Sequence, residues 1–406
     1  MRITALETVR VDEIPNLLLL RVETDEGLVG LGETYFGADS VEAYLHGPVA
    51  EYLLGSDPTR VAEHARCLSA YVGTSGTGTE MRGNSAVDLA LWDLRAKVLG
   101  VPLFELLGGR VRSGIWAYNT CAGPSYMSRR SHQEVAGWGL GDPGGTYEDL
   151  DGFLHRPVEL AKSLLSEGIC GMKIWPFDLA SEASSGQRLS LQDLEQAMEP
   201  FHSIRDALGN SMELLVELHG SWNLSSAKRI LASLEEVTPF WVEDPVAMED
   251  AEALAWLRGS TPVVIAGGET LGGHVSFRRL IESGSVDIVI ADLSWSGGLT
   301  AATKVATMAD AHQLGVAPHD CTGPVSFACS VHFSLATPNS VAQELVRAFF
   351  HGWYSDLAEG LPLLCDGRLD VADRPGHGVE LRPEALERAG TSRRRSELGT
   401  RGAGRF

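Results

Sequence analysis

Short apolar runs punctuate this chain, and their spacing sets the expected elements. Near the N-terminus, "ITALETVRVDE" and "NLLLLRVETDEGLVGLGET" read as strands joined by a turn at Asp25, Glu26 and Gly27. Helical periodicity follows. It is strongest in "SAVDLALWDLRAKVLG", where Ser85 is placed to cap, Asp88 to complete a capping box and Gly100 to stop the helix. Residues 1–112 are therefore expected to form a small α+β capping unit.

Beyond that unit the rhythm changes. Eight apolar runs follow: "GIWAYNT" (114–120), "GMKIW" (171–175), "MELLVEL" (212–218), "PFWVED" (239–244), "PVVIAGGE" (262–269), "VDIVIAD" (286–292), "GVAPHD" (315–320) and "SVAQE" (340–344). Amphipathic stretches such as "AEALAWLRG" and "TAATKVATMADAHQLG" lie between them. Strands alternating with helices predict a parallel β/α barrel over residues 113–346. A doubly wound sheet is the alternative, but its first strand would lead into a glycine-rich phosphate loop, and none follows here.

Three segments fall outside this alternation. The stretch from Cys121 to about Pro157, with "GWGLGDPGGTYEDLDG", suggests a surface excursion at the barrel mouth. Residues 347–385 read as a return to the small domain, and residues 386–406, ending "TSRRRSELGTRGAGRF", as a disordered tail.

Composition narrows the function. Hydrophobic residues make up 44% and charged residues 21% of the 406, ordinary for a globular protein. The net charge of −21 repels phosphate backbones and anionic lipid, so neither a nucleic-acid nor a membrane partner is expected. A small anionic substrate remains admissible, because a bound cation reverses the field locally. The N-terminal segment lacks a signal-peptide pattern, and no run approaches the roughly 18 apolar residues of a membrane span. Cys67, Cys121, Cys170, Cys321, Cys329 and Cys365 form no CxxC pair, which suggests reduced thiols in a cytoplasmic protein. A homo-oligomer is the expected assembly.

A β/α barrel builds its active site at the C-terminal ends of its strands. Lys173, Glu217 with His219, Glu243, Glu269, Asp292, His319 and Glu344 end successive runs. One such acid would ordinarily cap a helix or face water, the reading adopted for Asp244 and Asp320. A series of them is brought to a single mouth. Glu217, Glu243 and Glu269 recur every 26 residues, about one β/α unit, so three neighbouring strands each present a carboxylate. Three packed anions need a cation, and hard oxygen donors select Mg²⁺, with Mn²⁺ as a substitute. Asp292 and His319 end adjacent strands, where the acid orients one imidazole nitrogen and leaves the other to take a proton. Alternation along a strand also predicts that Glu217 and His219 project the same way.

These residues carry a resemblance. "GLVGLGET", "SAVDLALWDLRAKVLGVPLFELLGG", "EDP", "DLSWSGGLT", "APHD" and "PNSVAQE" resemble the mandelate racemase branch of the enolase superfamily over roughly residues 1–385. The resemblance implies a modified TIM barrel, (β/α)7β, beneath an N-terminal α+β capping domain. It also implies Glu217, Glu243 and Glu269 as Mg²⁺ ligands, Asp292 and His319 as a dyad, Lys173 as the group that stabilises the developing charge, and Glu344 as a hydrogen-bond partner of substrate or enediolate. His219 matches the position at which acid-sugar dehydratases of the branch place a histidine that assists departure of hydroxide.

The implied activity is α-proton abstraction from an aldonate or aldarate, enediolate formation and loss of the 3-hydroxyl to give a 2-keto-3-deoxy acid. A racemase, epimerase or cycloisomerase is the alternative, and a non-catalytic acid-sugar-binding barrel a second. Two departures matter. Glu217 stands where the family usually has Asp, and Trp175 where Lys-x-Lys members have a second lysine, which favours dehydration over racemisation. Cap loops close the mouth in this family, which suggests "TYFGADS" (34–40) and "GTSGTGTEMRG" (73–83) here. Arg82, Trp175, Trp222 and Trp295 are candidate substrate-binding residues.

Overall fold

The computed structural model describes residues 1–69, 76–129, 133–141 and 146–399. Parts of the expected cap loop (73–75), of the mouth excursion (130–132 and 142–145) and of the tail (400–406) lie outside them. Strands β1 (Ile3–Val11), β2 (Leu17–Thr24) and β3 (Val29–Tyr35) form an antiparallel meander. Its inner face packs on the helix Thr79–Leu99, so closely that Gly30 and Gly32 face the backbone carbonyls of Ala90 and Ala86 with no room for a Cβ.

That helix begins six residues before Ser85, with Gly78 as its N-cap, so the expected capping box does not form. Ser85 lies inside the helix, donates to the Met81 carbonyl and accepts from the Gly297 N–H. Asp88 instead accepts from the Thr300 N–H at 3.0 Å, satisfying the start of the barrel helix Gly298–Ala311. Local pattern identified a cap, but the helix it caps lies 212 residues away. Gly100 ends the first helix in the left-handed conformation (φ 67°), as its position predicts.

Eight parallel strands follow: β4 (Ile115–Thr120), β5 (Gly171–Ile174), β6 (Glu213–Glu217), β7 (Trp241–Glu243), β8 (Ile265–Gly267), β9 (Ile288–Asp292), β10 (Gly315–His319) and β11 (Gln343–Leu345). They pair in chain order from β4 to β10. β11 closes the ring, pairing with β4 on one side and reaching β10 through a Val316–Ser340 bridge on the other. Helices occupy the seven intervals, and among the described residues only the short helices Arg347–Phe350 and Trp353–Leu357 follow β11 before the C-terminal hairpin, which is the (β/α)7β form. Tyr118, Leu215, Trp241, Ala266, Ile288, Ile290, Ala317 and Ala342 fill the barrel interior as one apolar cluster.

The C-terminal region departs from expectation twice. A hairpin of Leu363–Cys365 and Arg368–Asp370 docks antiparallel on β4 of the barrel, so the segment 347–385 serves both domains. Its cap contact comes later, where the His377 N–H donates to Asp93 and its ring to the Leu31 carbonyl. The tail is ordered through Glu397: Thr391–Glu397 is a strand on the outer edge of the cap sheet, antiparallel to β1. Alternation puts Arg393 and Arg395 on one face, where they meet Glu7 and Glu23 at 2.7 and 2.8 Å. Those acids sit hundreds of residues upstream, so a composition reading sees only an arginine-rich run.

His332 joins three segments. Its Nδ1 accepts from the Phe104 N–H at 3.2 Å, and its Nε2 lies 3.3 Å from the His377 carbonyl, which fixes the neutral ring with the proton on Nε2. Burial, then the neighbouring His377, pushes its pKa down to about 3. A depressed histidine stabilises the fold above its unfolded pKa of about 6.5, and this contribution is lost as pH falls towards 3. His332→Leu is therefore expected to cost about 2 kcal/mol at pH 7 by orphaning both partners, and to flatten the decline of thermal stability between pH 6.5 and 3. Unfolding curves across that range test both effects, and an unchanged acid limb would refute the assignment.

Candidate active site and metal centre

Strand register assembles the site. Glu217 on β6 is the direct neighbour of Glu243 on β7, and Asp292 on β9 of His319 on β10. Glu217, Glu243 and Glu269 each place a carboxylate oxygen within 4.8 Å of the others, and all three are buried. Lys173 enters from β5 with its ammonium 3.3 Å from Glu217, 3.1 Å from Glu243 and 2.9 Å from Glu344. Trp241 supports the group from below, its indole N–H donating to Glu243 Oε2 at 3.0 Å.

The charges answer one another. Burial pushes the Glu243 carboxyl up to about 8, with Lys173 pulling against it and the other glutamates reinforcing it. Burial also raises Glu269. Glu217 and Glu344 are held below the usual carboxylate range, burial being overcome chiefly by Lys173. Lys173 itself is raised well above a normal lysine: burial opposes the charge, but Glu243 and Glu344 outweigh it.

A dication fits this cradle. Its donors are carboxylate oxygens, without sulfur or imidazole. Glu243 Oε1 is buried without a hydrogen-bond partner, and Glu217 Oε2 has no hydrogen bond either, only the ion pair with Lys173. A buried carboxylate oxygen with no partner, as at Glu243 Oε1, is costly unless a cation meets it.

The extra methylene of Glu217 has a visible use. Its side chain folds back so that Oε1 accepts the N–H groups of Leu218 and His219, at 2.9 and 2.7 Å, while Oε2 turns to Lys173. The chain turns sharply here: β6 ends at Glu217, and His219 is left-handed at φ 48°. The strand ends two residues before His219, and Glu217 binds the backbone of His219 rather than its ring, although both side chains line the same cavity.

The imidazole goes elsewhere. Its Nδ1 lies 2.7 Å from Asp178 Oδ2, on the segment after β5, and its Nε2 lies 3.1 Å from the Gln133 amide. Burial lowers the ring's pKa, but Asp178 and then Glu217 more than offset this and hold it at about 9. Across the site, His319 Nδ1 lies 2.8 Å from Asp292 and its Nε2 3.3 Å from Glu269. Burial again opposes the charged ring, and Glu269 and Glu344 raise it well above an ordinary histidine. Two imidazoles, each held at Nδ1 by a buried aspartate, thus flank the carboxylates.

Lys173, Glu217, Glu269, His219, His319 and Glu344 line one cavity of about 50 Å³. Glu344 is firmly anchored, accepting from Thr120, Lys173 and the Asp320 N–H. Trp175 and Trp295 form walls: Trp175 packs against Tyr126, Phe153 and the His219 ring, and Trp295 lies 4.8 Å from His319.

Two candidates do not line the cavity. Trp222 is buried in the hydrophobic core. Arg82 stacks on Trp295 at 4.5 Å and donates to the Thr77 and Tyr35 carbonyls, so it braces the cap loop and the Trp295 wall. Sequence reasoning missed Asp178, Gln133 and Phe36. Phe36 lay within the flagged loop 34–40, whereas Asp178 in "WPFD" gave no signal beyond following β5.

Known families match the chain over both of its domains. The family described as enolase C-terminal domain-like matches residues 156–385, and the mandelate racemase/muconate lactonizing enzyme N-terminal domain matches residues 4–108. The chain belongs to the mandelate racemase/muconate lactonizing enzyme family of the enolase superfamily. A D-galactonate dehydratase of Xanthomonas euvesicatoria pv. vesicatoria is 32% identical over 395 residues, covering 96% of this chain and 94% of that protein. One of Pectobacterium atrosepticum is 31% identical, covering 95% and 94%. A solved mandelate racemase subgroup enolase from Agrobacterium tumefaciens superposes with a TM-score of 0.86 at 42% identity, covering 98% of this chain and 99% of that one. An enolase protein from Sargasso Sea environmental sequencing gives 0.87 at 38%, with the same coverage.

Lys173→Met would leave Glu217, Glu243 and Glu344 without their shared counter-ion. The expected cost is about 3–5 kcal/mol in EDTA, with a larger recovery on adding MgCl₂ than the unsubstituted protein shows. Equal unfolding temperatures of the two proteins in EDTA would show that the ammonium does not hold these charges together.

Proposed function

We propose that the protein is a Mg²⁺-dependent dehydratase that converts a sugar acid into a 2-keto-3-deoxy acid. The carrying observation is the pair of aspartate-held imidazoles, His319 and His219, on one cavity with Glu217 and Glu269 of the carboxylate triad. The D-galactonate dehydratases among its relatives support the reaction class and make D-galactonate the first substrate to test.

Each residue has a part in this reading. Asp292 holds the Nδ1 proton of His319, so Nε2 is the atom that takes the proton α to the substrate carboxylate. Lys173, already embedded among anions, stabilises the negative charge that develops as that proton leaves. Asp178 fixes the His219 ring in the same way, and His219 Nε2 delivers a proton to the departing 3-hydroxyl. Glu217, Glu243 and Glu269 would hold a divalent cation, which would supply positive charge beside the substrate carboxylate.

Trp175, packed among aromatic rings, offers no base at its own position, and the group beside it is His219, which this reading makes the acid of the elimination. The proposal includes a cytoplasmic enzyme, supported by six free thiols, two of them exposed. No helix among the described residues is long and apolar enough to cross a membrane.

The experiment is a panel of aldonates and aldarates assayed with MgCl₂ for keto-acid by semicarbazide. His319→Asn is expected to lose turnover at least about 10³-fold while still binding Mg²⁺. His219→Asn is expected to lose keto-acid formation yet still exchange the α-proton with solvent deuterium. Near-normal turnover in His319→Asn would overturn the assigned base, and deuterium exchange without keto-acid in the unsubstituted enzyme would point to racemisation.

A further inference from the structure

The cavity around the triad, about 50 Å³, is small for a whole sugar acid, since small-molecule sites generally run to about 300 Å³ or more. A second cavity, of about 360 Å³, begins at the same two side chains, His219 and Gln133. It opens between the segment after β5 and the turn after β6. The amide of Gln133 stands at the junction, 3.1 Å from His219 Nε2.

The two cavities differ in charge. Around the triad, Lys173 is the cationic partner for a substrate carboxylate. In the second cavity the charged lining, apart from His219, is acidic: Glu134, Asp178 and Glu182, with the hydroxyl of Ser185 nearby. Asp178 is only 6% exposed, and its Oδ1 has no hydrogen-bond partner although Oδ2 holds His219. A buried carboxylate oxygen without a donor, lining a cavity, is an acceptor for a ligand hydroxyl.

We propose that this second cavity is the subsite for the neutral polyhydroxylated tail of the substrate and that its acidic wall rejects a second carboxylate. The inference rests on the sugar-acid reading and sharpens it: the substrate is a monocarboxylate, an aldonate, rather than the matching dicarboxylate. The substrate carboxylate lies with Lys173 and the triad, the 3-hydroxyl faces His219, and the remaining hydroxyls pass Gln133 to reach Asp178 Oδ1. Like charges brought together at a partly desolvated wall give discrimination by repulsion.

The test pairs each aldonate of a panel with the aldarate that differs only at the far carbon, galactonate with galactarate among them. With MgCl₂ present, kcat/KM for the preferred aldonate is expected to exceed that of its aldarate by about 100-fold. Glu134→Lys and Glu182→Lys are each expected to narrow that ratio about tenfold, by improving the aldarate. Calorimetric titration of the same pairs reads the preference without turnover. Turnover or binding with no preference between partners, or a ratio unmoved in both lysine variants, overturns the subsite while leaving the dehydratase reading intact. Absence of binding by every aldonate overturns both. Binding of aldonates in preference to aldarates, without turnover, upholds the subsite and removes the dehydratase reading.

Discussion

The buried ammonium of Lys173 is the interaction on which the mouth of the barrel depends. Glu217, Glu243 and Glu344 surround it at 2.9 to 3.3 Å, and none of the four reaches solvent to any useful extent. One positive charge cannot neutralise three acids and Glu269 besides, which is why burial leaves Glu243 with a pKa near 8 while Glu217 and Glu344 stay ionised. The deficit of positive charge is the physical case for a cation, and it comes from this chain's own donors. Everything else at the mouth, the indole under Glu243 and the amides under Glu217 and Glu344, serves to hold that charge pattern in place.

The turn after β6 converts this pattern into two-sided chemistry. Because His219 is left-handed, its ring reaches Asp178 while still lining the cavity of the carboxylates, producing a second aspartate–imidazole pair beside that of Asp292 and His319. Glu at position 217 belongs to the same arrangement. A longer side chain can satisfy the two N–H groups of the turn and still face Lys173. The residue that departs from the family pattern is thus tied to the geometry of the histidine two places on.

The cap is bound to the barrel by buried polar contacts that no local pattern reveals. Glu33 at the end of β3 accepts the N–H groups of Val325 and Ser326 at the start of the helix Pro324–Ala336, and burial pushes its carboxyl up to about 8. Thr34 donates to the Ser294 carbonyl, and Asp88 caps a barrel helix. These ties set the height of the loop that carries Phe36 above the cavity, and Arg82 fixes Trp295 beneath it.

The sequence by itself determined the eight strands, their helices and the acids at their ends. A strand buried in a barrel must be an apolar run, and a repeat of 26 residues is a length property that no packing detail can hide. Tertiary structure decided what depends on partners far along the chain. Asp178 found His219, Asp88 found a helix 212 residues away, and an arginine-rich tail became a strand because Glu7 and Glu23 awaited it. Arg82 and Trp222 show the same limit, since residue type marked them as ligand-binding and packing gave them structural places instead. Periodicity is written locally, whereas a charge or a hydrogen bond is decided by whichever group the fold brings within about 3 Å.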